Sequence, residues 1–349
     1  MRIRTALPAT VATLATAWML TACVPGEGSA VSAPDAEAVT GGEWSSSTLT
    51  LDYATYNPLS LIIREEGWLE DTLGDDVTVT WVQSAGSNKA NEALRAGAID
   101  VGSTAGSAAL LARANGTPIR TIGIYTQPEW AAIVVPADSH ITSVADLAGQ
   151  SIAATKGTDP YFFLLQALEE HGLSLADVEV QNLQHADGRI ALENGSVDAW
   201  AGLDPLMADS EVNAGSQLIY RNIDFNTYGF LNATEQFITD HPDLAQLVLD
   251  AYEAARVWAL ANPEETAQIL ADVAAIDLEI ARTVILERTV IDLDVAPGDT
   301  QQAVLEVVGP IFVDSGDVSS VEDINDALLS LFHDEFARAA DPTRVGGGS

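Results

Sequence analysis

Four short segments of this sequence are rich in Gly, Ser, Thr and Asn: Thr55-Tyr56-Asn57, Ser84-Ala85-Gly86-Ser87-Asn88-Lys89, Ser103-Thr104-Ala105-Gly106 and Thr155-Lys156-Gly157-Thr158-Asp159. Each stands where a predicted strand gives way to a predicted helix. Small side chains let backbone N–H groups approach a ligand. The first turn of a helix adds unpaired N–H groups and the positive end of the dipole, which together favour a small anion. Asn57, Gly86, Ser87, Asn88, Ser103, Thr104, Gly157 and Thr158 are therefore candidate ligand-binding residues. The chain has only two lysines, Lys89 and Lys156, and both fall in these segments. Lys156 joins the candidate set, and Arg189 lies near the position equivalent to Lys89. All three basic side chains can equally point into solvent. Trp130 and Trp200, with Tyr161 beside them, could wall an organic tail. Asp204, in an Asp-Pro pair that reads as a helix cap, would suit an amine if it faced the ligand. His185 fits a hydrogen-bonding role better than that of a base.

Catalytic chemistry is less well supported. Gly102-Ser103-Thr104-Ala105-Gly106 has the spacing of a nucleophile elbow but carries Thr where Ser belongs, and no HGGG-type oxyanion loop accompanies it. A secreted hydrolase using Thr104 is the alternative of a different class. His140, His171, His185, His241 and His333 show no metal-ligand spacing. No phosphate-binding P-loop or dinucleotide fingerprint is present. Neither a metal nor a cofactor is expected.

The elements that must hold these segments alternate as strand and helix, which predicts α/β layers. Thr48–Tyr53 reads as a strand, Asn57-Pro58 as a helix start, and Gly67 as its end. Val77–Gln83, Ile99–Val101, Ile119–Tyr125, Ala131–Val135 and Ser151–Ala154 read as further strands. The pattern then repeats. Val178-x-Val180-x-x-Leu183-Gln184-x-Ala186 matches Val77-x-Val79-x-x-Val82-Gln83-x-Ala85 at an offset of 101. Ala191-Leu192-x-x-Gly195-x-Val197-Asp198-Ala199 matches Ala93-Leu94-x-x-Gly97-x-Ile99-Asp100-Val101 at an offset of 98. Two similar lobes facing across a cleft are expected, although any two βαβ units share some of this pattern. The boundaries are 48–133 plus 226–345 for a discontinuous first lobe and 134–225 for the second, joined by a two-crossing hinge. The helices after Thr234 are expected to pack back on the first lobe.

Residues 1–22 read as a signal peptide, with Arg2 and Arg4 ahead of an uncharged apolar run. Leu20-Thr21-Ala22-Cys23 resembles a bacterial lipobox, which implies cleavage before Cys23 and its lipidation. Residues 23–47 read as a flexible tether. The folded part would then stand outside the membrane, lipid-anchored through Cys23. The chain has 349 residues and a net charge of −36, which argues against nucleic acid and against a basic membrane-binding face. A single Cys excludes an internal disulfide framework. The Gly-rich C-terminus reads as a frayed tail.

These motifs carry a resemblance. Leu59–Leu69, Glu92-Ala93-Leu94-x-Ala96-Gly97-x-Ile99-Asp100-x-Gly102, Ser143-Val144-Ala145-Asp146-Leu147-x-Gly149, Thr155-Lys156-Gly157, and Val197-Asp198-Ala199-Trp200 followed by Asp204-Pro205 are similar to segments of the solute-binding proteins for sulfonates, nitrate and taurine. The aliphatic-sulfonate branch looks closest. The resemblance implies a type II periplasmic-binding-protein fold that closes on its ligand, acts as a monomer and delivers that ligand to an ABC permease. It implies that a sulfonate-like anion meets Asn57, Ser87, Thr104 and Thr158. Nitrate, taurine, a sulfate ester and a pyrimidine precursor remain open as ligands. Asp159-Pro160 departs from the small or polar residues common there.

Overall fold

A computed structural model describes residues 44–345. The signal segment, Cys23 and the tether as far as residue 43 lie outside the described residues, as do residues 346–349. The tether's expected last residues are not loose. Trp44 packs against the core, and the Ser45 N–H donates to the Asp243 carboxylate at 2.9 Å.

Eleven strands are described: β1 (Thr48–Tyr53), β2 (Thr78–Gln83), β3 (Val101–Ala105), β4 (Ile119–Pro128), β5 (Ala131–Val135), β6 (Ser151–Ala154), β7 (Glu179–Asn182), β8 (Ala199–Leu203), β9 (Gln217–Arg221), β10 (Gly229–Thr234) and β11 (Thr289–Val290). They form two sheets, ordered β11-β4-β10-β3-β1-β2 and β7-β6-β8-β5-β9. β1 pairs in parallel with β2 and β3, and β6 does so with β7 and β8. β10 lies antiparallel to β3 and β4, as β5 lies antiparallel to β8 and β9. The sheets therefore share one strand order apart from the edge strand β11.

The internal repeat has a physical cause at its Asp residues. In the first sheet the Asp100 carboxylate accepts the Thr50 N–H at 2.8 Å, and in the second Asp198 accepts the Ser151 N–H at the same distance. Each returns a backbone bond to the same partner, Asp100 N–H to Thr50 O and Asp198 N–H to Ser151 O. The repeated Asp fastens the start of the third strand of its unit to the first strand.

Two crossings join the sheets, Glu129-Trp130 and Asn222–Tyr228. The expected boundary at 133/134 falls inside β5, all of which belongs to the second sheet. Its run of buried apolar side chains forms one ladder with β8 and β9. The 225/226 boundary falls within the return crossing. Helix Pro242–Ala261 packs on helix Pro58–Glu66 and on β4. Buried Arg256 fixes it there, donating to the Tyr125 carbonyl at 3.1 Å and the Ile124 carbonyl at 2.6 Å. The second sheet's helix Asp159–Glu170 also packs on the first half of the fold, with Phe162 and Phe312 rings 4.3 Å apart. The largest apolar cluster draws side chains from both sheets, and a separate one around Trp200 packs the second sheet alone. No helix among the described residues is long and apolar enough to cross a membrane.

Candidate functional site

The expected third loop is not a loop. Ser103, Thr104 and Ala105 are the buried end of β3, and Gly106 opens the next helix. Their donors are already used. Ser103 N–H and Oγ–H donate to Asp52 Oδ1 at 2.8 and 2.9 Å, and Ala105 N–H donates to Ser87 Oγ at 3.0 Å. Gly106 N–H reaches the Thr227 carbonyl, and Ser107 N–H reaches Thr227 Oγ1. Thr104 Oγ–H donates to the Ala105 carbonyl while Asn232 Nδ2 donates to Thr104. This hydroxyl faces no base, so the geometry gives the elbow-like spacing no nucleophile. Ser103 and Thr104 are structural, contrary to the expectation from sequence. Burial pushes the Asp52 carboxyl up to about 7 against the Ser84 and Ser103 bonds that lower it.

Asn57 is also absorbed by the fold. Its Oδ1 caps the helix at Ser60 N–H, 3.2 Å away, and its Nδ2 donates to Tyr252 Oη at 3.0 Å. Trp200 is fully buried in the second sheet's own core, packed on Gly188, and does not wall the cleft. Lys89 pairs with Glu92 at 2.8 Å, and Lys156 is exposed with Nζ 5.6 Å from the Tyr161 ring centre. Arg189 pairs with Glu193 and Asp209. The basic side chains point away because each finds a carboxylate, a ring face or water at lower desolvation cost than the cavity would impose.

What remains is brought together. A small cavity, with about 10 Å³ open to the centre of a water-sized sphere, is lined by Tyr56, Ser87, Trp130, Thr158, Asp159, Pro160, His185 and Leu203. It lies between the two sheets, with Tyr56 and Ser87 from the first-sheet half and Thr158 to Pro160, His185 and Leu203 from the second. Ser87 and His185 open nine-residue helices at equivalent positions of the repeat, 98 residues apart. First-turn N–H groups of both helices have no intrahelical acceptor. Gly86 meets the edge of the His185 ring: a Cβ there would lie 3.1 Å from its Nε2. Its φ of 155° is reserved for glycine, so this close approach needs residue 86 as it is. Gly157 lies against Asn88 across the same gap. His185 is buried, and burial lowers its imidazole to about 3, so it is neutral.

Trp130 and Tyr56 meet edge-on, ring centres 6.0 Å apart, and form a wall shared with a second cavity of similar size, about 10 Å³ by the same measure. Asp204 and Arg288 line that second cavity. Asp204 accepts from Arg288 at 3.2 Å and from Ala208 N–H at 2.9 Å, while Arg288 also bonds Glu211 at 2.7 Å. Burial pushes the Asp204 carboxyl up to about 6, outweighing Arg288. With its charge already matched across the sheets, Asp204 does not offer the free carboxylate expected for an amine.

Asp159 is the residue whose role sequence reasoning missed. It stands at the first helical position rather than at the N-cap, which is Thr158. Its Oδ1 accepts from Ser107 Oγ and Thr227 Oγ1, both at 2.6 Å. Its Oδ2 accepts from Trp130 Nε1 at 2.8 Å and Thr227 N–H at 2.9 Å. These donors come from the first-sheet half and from both crossings, so the carboxylate is a pin at the junction. Burial raises its carboxyl, and the four bonds oppose that. Among the described residues, no group of three His, Cys, Asp or Glu side chains is placed to hold a metal ion.

The NMT1/THI5-like family model matches residues 61–266, more than half of the chain. A putative aliphatic sulfonates-binding protein of Bacillus subtilis is 30% identical over 229 residues, covering 64% of this chain and 69% of that protein. The alkanesulfonate-binding protein SsuA of Xanthomonas axonopodis pv. citri, solved bound to MOPS, superposes with a TM-score of 0.73. It is 24% identical and covers 81% of this chain and 98% of its own. A desulfurization enzyme, DSZB, shares the fold with a TM-score of 0.61 at 17% identity, over 84% of this chain and 98% of its own. The fold by itself therefore does not separate binding from catalysis. The matched segment takes in β2 to β10 and both crossings and spans more than half of the chain, and on that ground the chain belongs to the NMT1/THI5-like family, built on the type II periplasmic-binding-protein fold.

Proposed function

We propose that this chain is the extracytoplasmic solute-binding component of an ABC importer, and that it takes a small organic anion, an aliphatic sulfonate, between its two sheets. One observation carries the reading: repeat-equivalent helix starts at Ser87 and His185 face each other across a small buried cavity in a body joined by two crossings. That arrangement suits a ligand that both halves must touch, and ligand contact with both halves shifts an opening equilibrium. The names of the relatives favour sulfonate over nitrate, a sulfate ester or a pyrimidine. In this reading the sheets are the cores of two lobes, divided at residues 129–130 and 222–228, and the permease recognises the closed form. The protein acts as a monomer, held at the membrane by lipidated Cys23. It does not turn its ligand over, consistent with a Thr104 hydroxyl that is buried and bonded.

Calorimetry with short alkanesulfonates, taurine, nitrate and sulfate tests this. One saturable site for a sulfonate, with X-ray scattering showing a change in compactness, is expected. Heat from none of these anions, or release of a product from the bound ligand, would remove the proposal. Mass spectrometry of the mature N-terminus tests the lipid on Cys23 separately.

A further inference from the structure

His185 carries more than a neutral ring. Its Nδ1 lies 3.2 Å from Thr155 Oγ1. The only proton of that hydroxyl goes to the Leu183 carbonyl at 2.7 Å. Thr155 Oγ1 can then only accept from the ring, so the imidazole proton sits on Nδ1. Nε2 is left as a bare lone pair. It is buried, has no hydrogen-bond partner among the described residues, and belongs to a residue lining the cavity. The opposite wall differs. Ser87 Oγ accepts from Ala105 N–H, so its own proton is free to donate, and the unpaired first-turn N–H groups of its helix stand beside it. Ser87 thus adds a hydroxyl donor to the free N–H groups on its side, whereas His185 adds an acceptor beside those of its own helix.

An anion head fits the Ser87 side and is repelled by a lone pair at His185. An unmet buried acceptor is costly, so the ligand should bring a donor to it. An ammonium would need a counter-charge, but all four acceptor directions of Asp159 are filled and Asp204 is matched by Arg288. A neutral hydroxyl meets no such cost. Resting on the sulfonate reading above, we propose that the preferred ligand is a short hydroxyalkanesulfonate, with its head at Ser87 and its hydroxyl donating to His185 Nε2.

The test is a matched pair in the wild-type protein: 2-hydroxyethanesulfonate against 1-propanesulfonate, which exchanges a hydroxyl for a methyl at equal size. The hydroxyl ligand is expected to bind at least about tenfold more tightly, because a site built around a hydrogen bond rejects the analogue that lacks it. In His185→Phe the ratio should fall below about threefold. The 15N shifts of His185 in the unsubstituted protein should show protonated Nδ1 and bare Nε2. Equal or tighter binding of 1-propanesulfonate, an unchanged ratio in folded His185→Phe, or a proton on Nε2 would overturn the inference and leave sulfonate binding standing. Binding of neither ligand, nor of any other sulfonate, would instead remove the reading on which it rests.

Discussion

Replacing Asp159 tests the junction most directly, because the side chain meets four donors of two kinds. Ser107 and Thr227 offer hydroxyls, which can rotate to accept instead. Trp130 Nε1–H and the Thr227 backbone N–H are fixed donors. In Asp159→Ala both fixed donors lose their acceptor inside the fold. Each unmet buried donor costs about 1–3 kcal/mol, so the variant should lose about 2–6 kcal/mol of stability. Asp159→Asn should behave differently. With its amide oxygen toward Trp130 and its NH2 toward the two hydroxyls, every fixed donor keeps a partner. It also removes the cost of burying a charge, which the raised carboxyl of Asp159 reveals. Its loss should stay within about 2 kcal/mol. Urea unfolding of both variants at pH 7, followed by circular dichroism, measures the difference. Because Thr227 and Trp130 lie in the two crossings, Asp159→Ala should also expand the ligand-free protein in X-ray scattering, and Asp159→Asn should not. If Asp159→Ala were within about 1 kcal/mol of wild type, or matched Asp159→Asn, the carboxylate would not be the pin described here.

Other perturbations separate the remaining claims. Arg288→Met strands the buried Asp204 carboxylate and should cost about 3–5 kcal/mol in the same assay, part of it recovered by adding Asp204→Asn. Asp52, held at about 7 against an ordinary 3.8, keeps in the folded state a proton that the unfolded chain releases. Its contribution to stability is complete below pH 4 and is lost as pH rises toward 7. Asp52→Asn should therefore gain on wild type by up to about 4 kcal/mol across that window, read from urea melts at several pH values. Gly86→Ala puts a Cβ against the His185 ring in a backbone conformation suited only to glycine. It should weaken ligand binding at least about tenfold by calorimetry, with little change in secondary structure.

Much of the scaffold was readable because it rests on local signals. β1, β5 and β6 begin and end where alternation and apolar runs predict, and Pro58, Pro242 and Pro263 stand at helix starts. The repeat was visible because Asp100 and Asp198 do the same work in both sheets. The pattern places β3 at Ile99–Val101 rather than Val101–Ala105, because Gly102-Ser103-Thr104-Ala105 has the composition of a turn. Its small residues instead allow neighbours to close in: a Cβ on Gly102 would lie 2.9 Å from Ile99. The site was half legible. Gly86, Ser87, Trp130, Thr158 and His185 could be found from position and type. The direction of a side chain depends on partners far away in sequence. Asn57 turns to Tyr252, Ser103 to Asp52, and Asp159 to residues 107, 130 and 227. No window of neighbouring residues contains that information.

The two crossings have a consequence for the modularity of the chain. On the second sheet's side, the chain enters at β5 and leaves from β9, and these strands are antiparallel neighbours with Ala132 opposite Arg221. On the other side, β4 departs and β10 returns, again as antiparallel neighbours with Thr126 opposite Gly229. Cut ends on either side would lie roughly one ladder rung apart, about 5 Å. Residues 131–221 therefore sit in the sequence as an insert placed within a hairpin, and a short turn could close either part. A gene could gain, lose or exchange the second body at this seam without rerouting a strand of the first.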